Sequence, residues 1–178
     1  SSSSNLEIFD VSDPTNPIRV GSVGTAHSVY AITVVGNYAY VGSDFLGDDL
    51  EIFDISDPTN LNIIGESNEM TQVNDVVVSG DLAFLSSCSA GLYCVDISDP
   101  TAPEVVANVN TELDAKGIVV TGSFAYVATI RSNVGSKFVV FDISDPLNPI
   151  QMGELPGTGD VYLGPIDVSG SYAFVAYS

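Results

Sequence analysis

Apolar residues in this chain come in short runs bounded by glycine, proline, asparagine and aspartate. None of the runs has the period of an amphipathic helix. Over residues 30–66 the pattern predicts four strands, Tyr30–Val35, Tyr38–Ser43, Leu50–Ile55 and Leu61–Glu66. Gly36-Asn37 is a two-residue turn signal between the first two. Asp57-Pro58 stops the third, because proline lacks an N–H and fits a turn rather than a ladder, while the aspartate can cap the turn's own amides. Some runs, such as Val76-Val77-Val78 and Phe138-Val139-Val140-Phe141, are apolar on both faces. Strands of that kind must be covered on both sides, and with no helical segment to do it the covering falls to neighbouring sheets.

The same unit recurs. Copies of the third-strand motif stand at residues 6–16, 50–60, 92–102 and 138–148, and its marker aspartates Asp10, Asp54, Asp96 and Asp142 are 44, 42 and 46 residues apart. A second marker, the glycine that opens the small-aromatic strand, falls at Gly36, Gly80, Gly122 and Gly170 with spacings of 44, 42 and 48. Two independent markers drifting together mean one structural unit with length changes confined to loops. A period of roughly 40–50 residues built from short strands predicts a propeller or a related array.

Leu50–Asp57 and its copies, the Pro-Thr-Asn or Pro-Leu-Asn-Pro that follows, and the Gly-x-Tyr/Phe-Ala-Tyr/Phe-Val strand resemble the LVIVD repeat, a β-propeller-forming repeat found largely in bacterial and archaeal extracellular proteins. The third copy departs from the pattern at Leu82 and at Pro100-Thr101-Ala102. The resemblance covers nearly the whole chain and implies an all-β fold: one domain over residues 1–178, a β-propeller of four-stranded blades, four repeats of about 44 residues. It carries no catalytic motif, so it implies no catalytic residue.

The repeat is permuted. The chain starts before a third strand and ends after a second, so the pair expected at Leu6–Val11 and Ile18–Ser22 complements the pair expected at Ile166–Ser169 and Tyr172–Ser178. Two readings stay open: a four-bladed ring closed by pairing the N- and C-terminal strands, which removes two sheet edges, or a four-blade segment of a larger propeller.

Charge narrows the partners. Twenty-three acids stand against Arg19, Lys116, Arg131 and Lys137, a net charge of −19. That opposes nucleic-acid backbones and anionic membranes, and no apolar run reaches the ~18–20 residues of a spanning helix. The acidity suits a secreted or cell-surface setting and Ca²⁺ as counter-ion. In the loop before Leu50, Asp44, Asp48 and Asp49 form an oxygen-rich group that could hold Ca²⁺, although their spacing is not that of an EF-hand. No other cofactor is expected. Asp10, Asp54, Asp96 and Asp142 recur because a turn recurs, which predicts capping rather than a metal ring.

Propeller ligands sit on loops entering the innermost strand. Eight and six residues before each marker glycine lie Ser28, Gln72, Asp114 and Tyr162, and Tyr30, Asn74, Lys116 and Gly164. His27, the one histidine, is a residue out of step with them. Polar variation on a repeated framework is the pattern of a binding face and also of unconstrained loops. Cys88 and Cys94 flank a hairpin; the sequence leaves a disulfide and a pair of buried thiols as alternatives.

The function expected from these features is a non-enzymatic extracellular interaction module that presents propeller loops to a protein or glycan. The alternative is a structural tile that self-associates through sheet edges such as Leu61–Ile64 and Glu104–Val106. A propeller-based hydrolase or lyase ranks third, since the fold alone warrants no chemistry and His27 has no nucleophile elbow beside it.

Overall fold

The computed structural model describes residues 5–43, 49–131, 134–157 and 163–177. Its sixteen elements are all β-strands. The first sheet comprises β3 (Val29–Val35), β4 (Tyr38–Ser43), β5 (Leu50–Asp54) and β6 (Asn62–Ser67). The second comprises β7 (Val73–Ser79), β8 (Leu82–Ser87), β9 (Gly91–Asp96) and β10 (Glu104–Val109). The third comprises β11 (Asp114–Thr121), β12 (Phe124–Arg131), β13 (Gly135–Asp142) and β14 (Ile150–Pro156). Each is an antiparallel meander with its strands in chain order. At either end stands a two-stranded sheet, β1 (Asn5–Asp10) with β2 (Ile18–Gly24), and β15 (Leu163–Ser169) with β16 (Tyr172–Tyr177).

Local chemistry fixes the register. Val35 pairs with Tyr38 across the Gly36-Asn37 turn. Gly36 is at φ +59°, and Gly80, Gly122 and Gly170 are within a few degrees of it. A positive φ at the first turn residue alone is the type II′ hairpin, which takes glycine there without steric cost. The register β4–β5 then runs Tyr38↔Asp54, Ala39↔Phe53, Tyr40↔Ile52, Val41↔Glu51 and Gly42↔Leu50. β8–β9 and β12–β13 repeat it, from Leu82↔Asp96 and from Phe124↔Asp142.

The third strand stops on a pair of aspartates that bind the turn. Asp54 Oδ1 accepts from the Ser56 N–H at 2.8 Å, and Asp57 Oδ1 accepts from the N–H and hydroxyl of Thr59 at 2.9 and 2.7 Å. Asp10, Asp96 and Asp142 do the same to Ser12, Ser98 and Ser144. Where Leu147 replaces threonine, Asp145 keeps only the amide, at 3.1 Å.

The core lies between sheets. Tyr40, Leu50 and Ile52 of the first sheet pack on Val73, Val76, Ala83, Leu85 and Val95 of the second. Phe84, Leu92 and Cys94 of the second pack in the same way on Ala115, Ile118, Val127 and Phe141 of the third. This is why the central strands are apolar on both faces: each sheet is covered by its two neighbours. The innermost strands pack in series, β3 on β7, β7 on β11 and β11 on β15.

Of the two readings left open by the sequence, the ring closed through the terminal strands is not seen in the described residues: β1 pairs only with β2 and β16 only with β15.

Candidate functional site

The mouth of the innermost strands holds a polar cluster built on the second and third sheets. Hydrogen bonding turns the chain sharply there: Cys88 N–H donates to the Gln72 carbonyl at 2.9 Å, and Ala90 N–H to the Cys88 carbonyl at 2.7 Å, so residues 88–90 form the hairpin between Ser87 and its partner Gly91. Thr71 braces it, its hydroxyl 2.5 Å from the Cys88 carbonyl and 2.8 Å from the Ser87 hydroxyl. The Cys88 sulfur is thereby presented to the start of β7 and β11. Lys116 Nζ donates to it at 2.9 Å and Asn74 Nδ2 at 3.2 Å. The same Asn74 amide donates to the Ala115 carbonyl at 2.6 Å, and its Oδ1 accepts from Gln72 Nε2 at 3.1 Å.

Gln72, Asn74 and Lys116 are thus brought together, half-buried, around one thiol. Arg19 pairs with Glu7, Arg131 with Asp114, and Lys137 with Glu112 and Glu154. The Lys116 ammonium donates instead to the Cys88 sulfur. Asp75, beside Asn74, locks the two sheets: its carboxylate accepts from the amides of Val76 and Ile118, each at 3.0 Å. Burial pushes the Asp75 pKa up, and those two amides hold part of the rise back.

The other rim residues fall outside the cluster. Asp114 pairs with Arg131 at 3.7 Å. Ser28 and Tyr30 are exposed at the start of β3, and His27 is half-buried just before it, its carbonyl accepting from the Thr25 hydroxyl at 2.9 Å. Gly164 lies on β15, and Tyr162 lies outside the described residues.

Of the three loop aspartates weighed for Ca²⁺, Asp44 and Asp48 lie outside the described residues. Asp49 is buried and its Oδ2 accepts from the Met70 amide at 3.1 Å, tying the loop to the segment before β7. Among the described residues no group of three or more His, Cys, Asp or Glu is placed to hold a metal.

Cys88 and Cys94 are free thiols, so the bridge weighed from the sequence does not form here. The register explains it: Cys94 pairs with Phe84, while Cys88 sits in the turn beyond Ser87. Cys94 is packed in the core, where burial pushes its pKa up to about 12 and leaves it inert.

Cys88 is the member that sequence reading missed as part of the rim. Its position was legible in principle, because the hairpin after the second strand opens at the same end as the loop entering the first.

Comparison with known proteins agrees with this architecture. A family model described as the LVIVD repeat matches residues 2–25, 27–69, 71–111, 114–155 and 163–178. No curated protein matches the chain. Among solved structures, the computationally designed Ika4 protein is similar with a TM-score of 0.66 and 10% identity, over 86% of this chain and 93% of that one. The computationally designed Ika8 protein is similar with a TM-score of 0.69 and 8% identity, over 90% of this chain and 46% of that one. This chain therefore spans about half the length of Ika8. Both are propeller-like, and at these identities the likeness is one of fold.

Proposed function

For a chain that belongs to the LVIVD repeat family, we propose a non-enzymatic role: a secreted or cell-surface interaction module that presents the loops of a β-propeller to a protein or glycan partner. In this reading the N-terminal pair and the C-terminal pair are the two halves of one blade, the fourth kind of sheet in a propeller of repeated four-stranded units. The observation that carries the binding role is the cluster of Gln72, Asn74 and Lys116 at the mouth of the innermost strands. Amide and ammonium donors converge there on a framework whose other positions simply repeat. Such groups recognise carbonyls and hydroxyls of a partner, and a rigid scaffold holding them on loops is the usual arrangement of a binding face. The surrounding negative charge favours partners other than polyanions.

The test is binding of the chain to arrayed neutral and acidic glycans and to purified extracellular proteins, alongside an Asn74→Ala/Lys116→Ala double variant. We expect the variant to lose about tenfold or more in affinity for whatever the parent binds, because two hydrogen bonds are removed, one of them charged. Equal binding by both proteins, or turnover of a bound glycan, would contradict the reading.

A further inference from the structure

Two reactive side chains from neighbouring complete sheets are held against each other. Cys88 belongs to the β8–β9 hairpin of the second sheet, and Lys116 to β11 of the third. The Lys116 Nζ stands 2.9 Å from the Cys88 Sγ. That is hydrogen-bonding distance, and it is also a gap that a single inserted atom would bridge.

The pair is positioned from both sides. The Cys88 N–H donates to the Gln72 carbonyl at 2.9 Å, and its own carbonyl accepts from the Ala90 N–H at 2.7 Å and the Thr71 hydroxyl at 2.5 Å. Ser89 takes φ +58° to close the hairpin, a conformation that residues with a side chain seldom adopt. Asn74 Nδ2 donates to the sulfur at 3.2 Å and to the carbonyl of Ala115, the residue before Lys116, at 2.6 Å. Asn74 thereby ties the sulfur to the strand that carries the lysine. The lone pair of its amide nitrogen is delocalised into the carbonyl, so of the two nitrogens at the sulfur only that of Lys116 can form a bond to it. Holding reactants at such a distance replaces an encounter by a step within one molecule.

The competing fates of an oxidised Cys88 are closed off. Cys94, the other cysteine of the chain, is 0% exposed and pairs with Phe84 inside the core. Its thiol, pushed up to about 12 by burial, is neither placed nor ionised to attack Cys88. Cys88 is 9% exposed at the rim, an opening that suits a molecule the size of dioxygen better than a bulky external thiol. The nucleophile that remains beside the sulfur is the Lys116 amine.

We propose that Cys88 and Lys116 are a modification site, joined on exposure to dioxygen by a reducible Sγ–O–Nζ bridge. The thiol, the ammonium and one dioxygen give the bridge, one water and one proton. One S–H bond, two N–H bonds and the O–O bond break, while an S–O and an O–N bond form. Sulfur and nitrogen each give up two electrons and dioxygen takes all four; one of its atoms stays as the bridge and the other leaves as water. An oxygen between the two atoms fits their spacing with little movement, whereas a direct S–N bond would pull the two sheets together. The bridge staples the second sheet to the third and closes a loop over residues 88–116, which restricts the unfolded chain. A nitrogen bonded to oxygen is weakly basic, so the ammonium charge of Lys116 is lost as well. Oxidation then withdraws a cationic donor from the rim and reduction restores it. That effect on binding rests on the rim reading above; the bridge itself does not.

The test is intact mass and tryptic mapping of the full chain, prepared without oxygen and then held in air-saturated buffer. We expect a product about 14 Da heavier, one oxygen gained and two hydrogens lost. Trypsin will not cut this product after Lys116, so residues 20–131 come as one peptide. Dithiothreitol will restore both the parent mass and the cut. Cys88→Ser and Lys116→Arg will each fail to give the product while keeping the parent's fold by circular dichroism, and Cys94 will stay open to alkylation once the chain is unfolded. The bridged chain will melt about 5 °C or more above the reduced one. An unchanged mass in air, a loss of about 2 Da from a direct bond to nitrogen or between the cysteines, or a gain of about 16 or 32 Da with Lys116 still cut would each overturn the bridge, as would the same product from Lys116→Arg. Equal melting of the bridged and reduced chains would overturn its role as a staple.

Discussion

Asp10, Asp54, Asp96 and Asp142 show how one side chain can end a strand. Each carboxylate accepts the amide of the serine two residues on, and that bond, with a smaller contribution from the serine hydroxyl, holds its pKa below the usual carboxylate range. Asp13, Asp57 and Asp99 are lowered in the same way, first by the hydroxyl and then by the amide of Thr15, Thr59 and Thr101. A carboxylate whose folded pKa is depressed stabilises the fold above its unfolded value, about 3.9 for aspartate, and that contribution is lost as pH falls through the folded pKa. We therefore expect thermal stability to hold from neutral pH to about 4 and then to fall. Replacing Asp54 and Asp57 by Asn should flatten that acid limb in melts taken between pH 2 and 6; an unchanged limb would show that the turns do not carry it. Packing acts at this scale too. Phe53 is fully buried between sheets, so Phe53→Ala should cost about 3–5 kcal/mol in urea unfolding; a cost under about 1 kcal/mol would mean the inter-sheet core is not formed as described.

At the scale of the element, the outer strand is where neighbouring units meet. Gly65 lies under the Pro100 carbonyl, so Gly65→Val should lower the melting temperature markedly while Gly153→Val should not. A comparable loss at both would remove the distinction between a crowded and an open site. Much of this architecture was legible beforehand. Strands β3 to β5 lie within a residue of their expected bounds, because glycine turns and the Asp-Pro stop are local signals. The rim was only half legible. Counting back from the marker glycines found Gln72, Asn74 and Lys116, but not that Cys88 gathers them, since that depends on a hairpin over residues 88–90 that places Cys88 in the turn itself. Asp75 escaped notice because its role is to join two sheets, which no single repeat reveals. The thiol bridge was weighed because the spacing of Cys88 and Cys94 in the chain does not give their facing.

At the scale of the molecule, repetition makes each unit an internal control for the others. Equivalent positions share a register, so burial can be compared from one sheet to the next. Phe9 and Phe174 are large, apolar and exposed where their equivalents are closed in, and burying such side chains is worth about 1.5–3 kcal/mol each. Exposed strand edges flanked by apolar side chains attract other strands. A chain with a net charge of −19 resists indiscriminate association.

The most direct measurement is amide hydrogen exchange on the full chain, resolved over β1 and β16. If the terminal pairs are two halves of one blade, Leu6–Phe9 and Ala173–Ala176 will exchange as slowly as β4 and β5 in the first sheet. Exchange as fast as an exposed edge across both segments would show that β1 and β16 have no partner strand, and the half-blades would have to be taken as open ends.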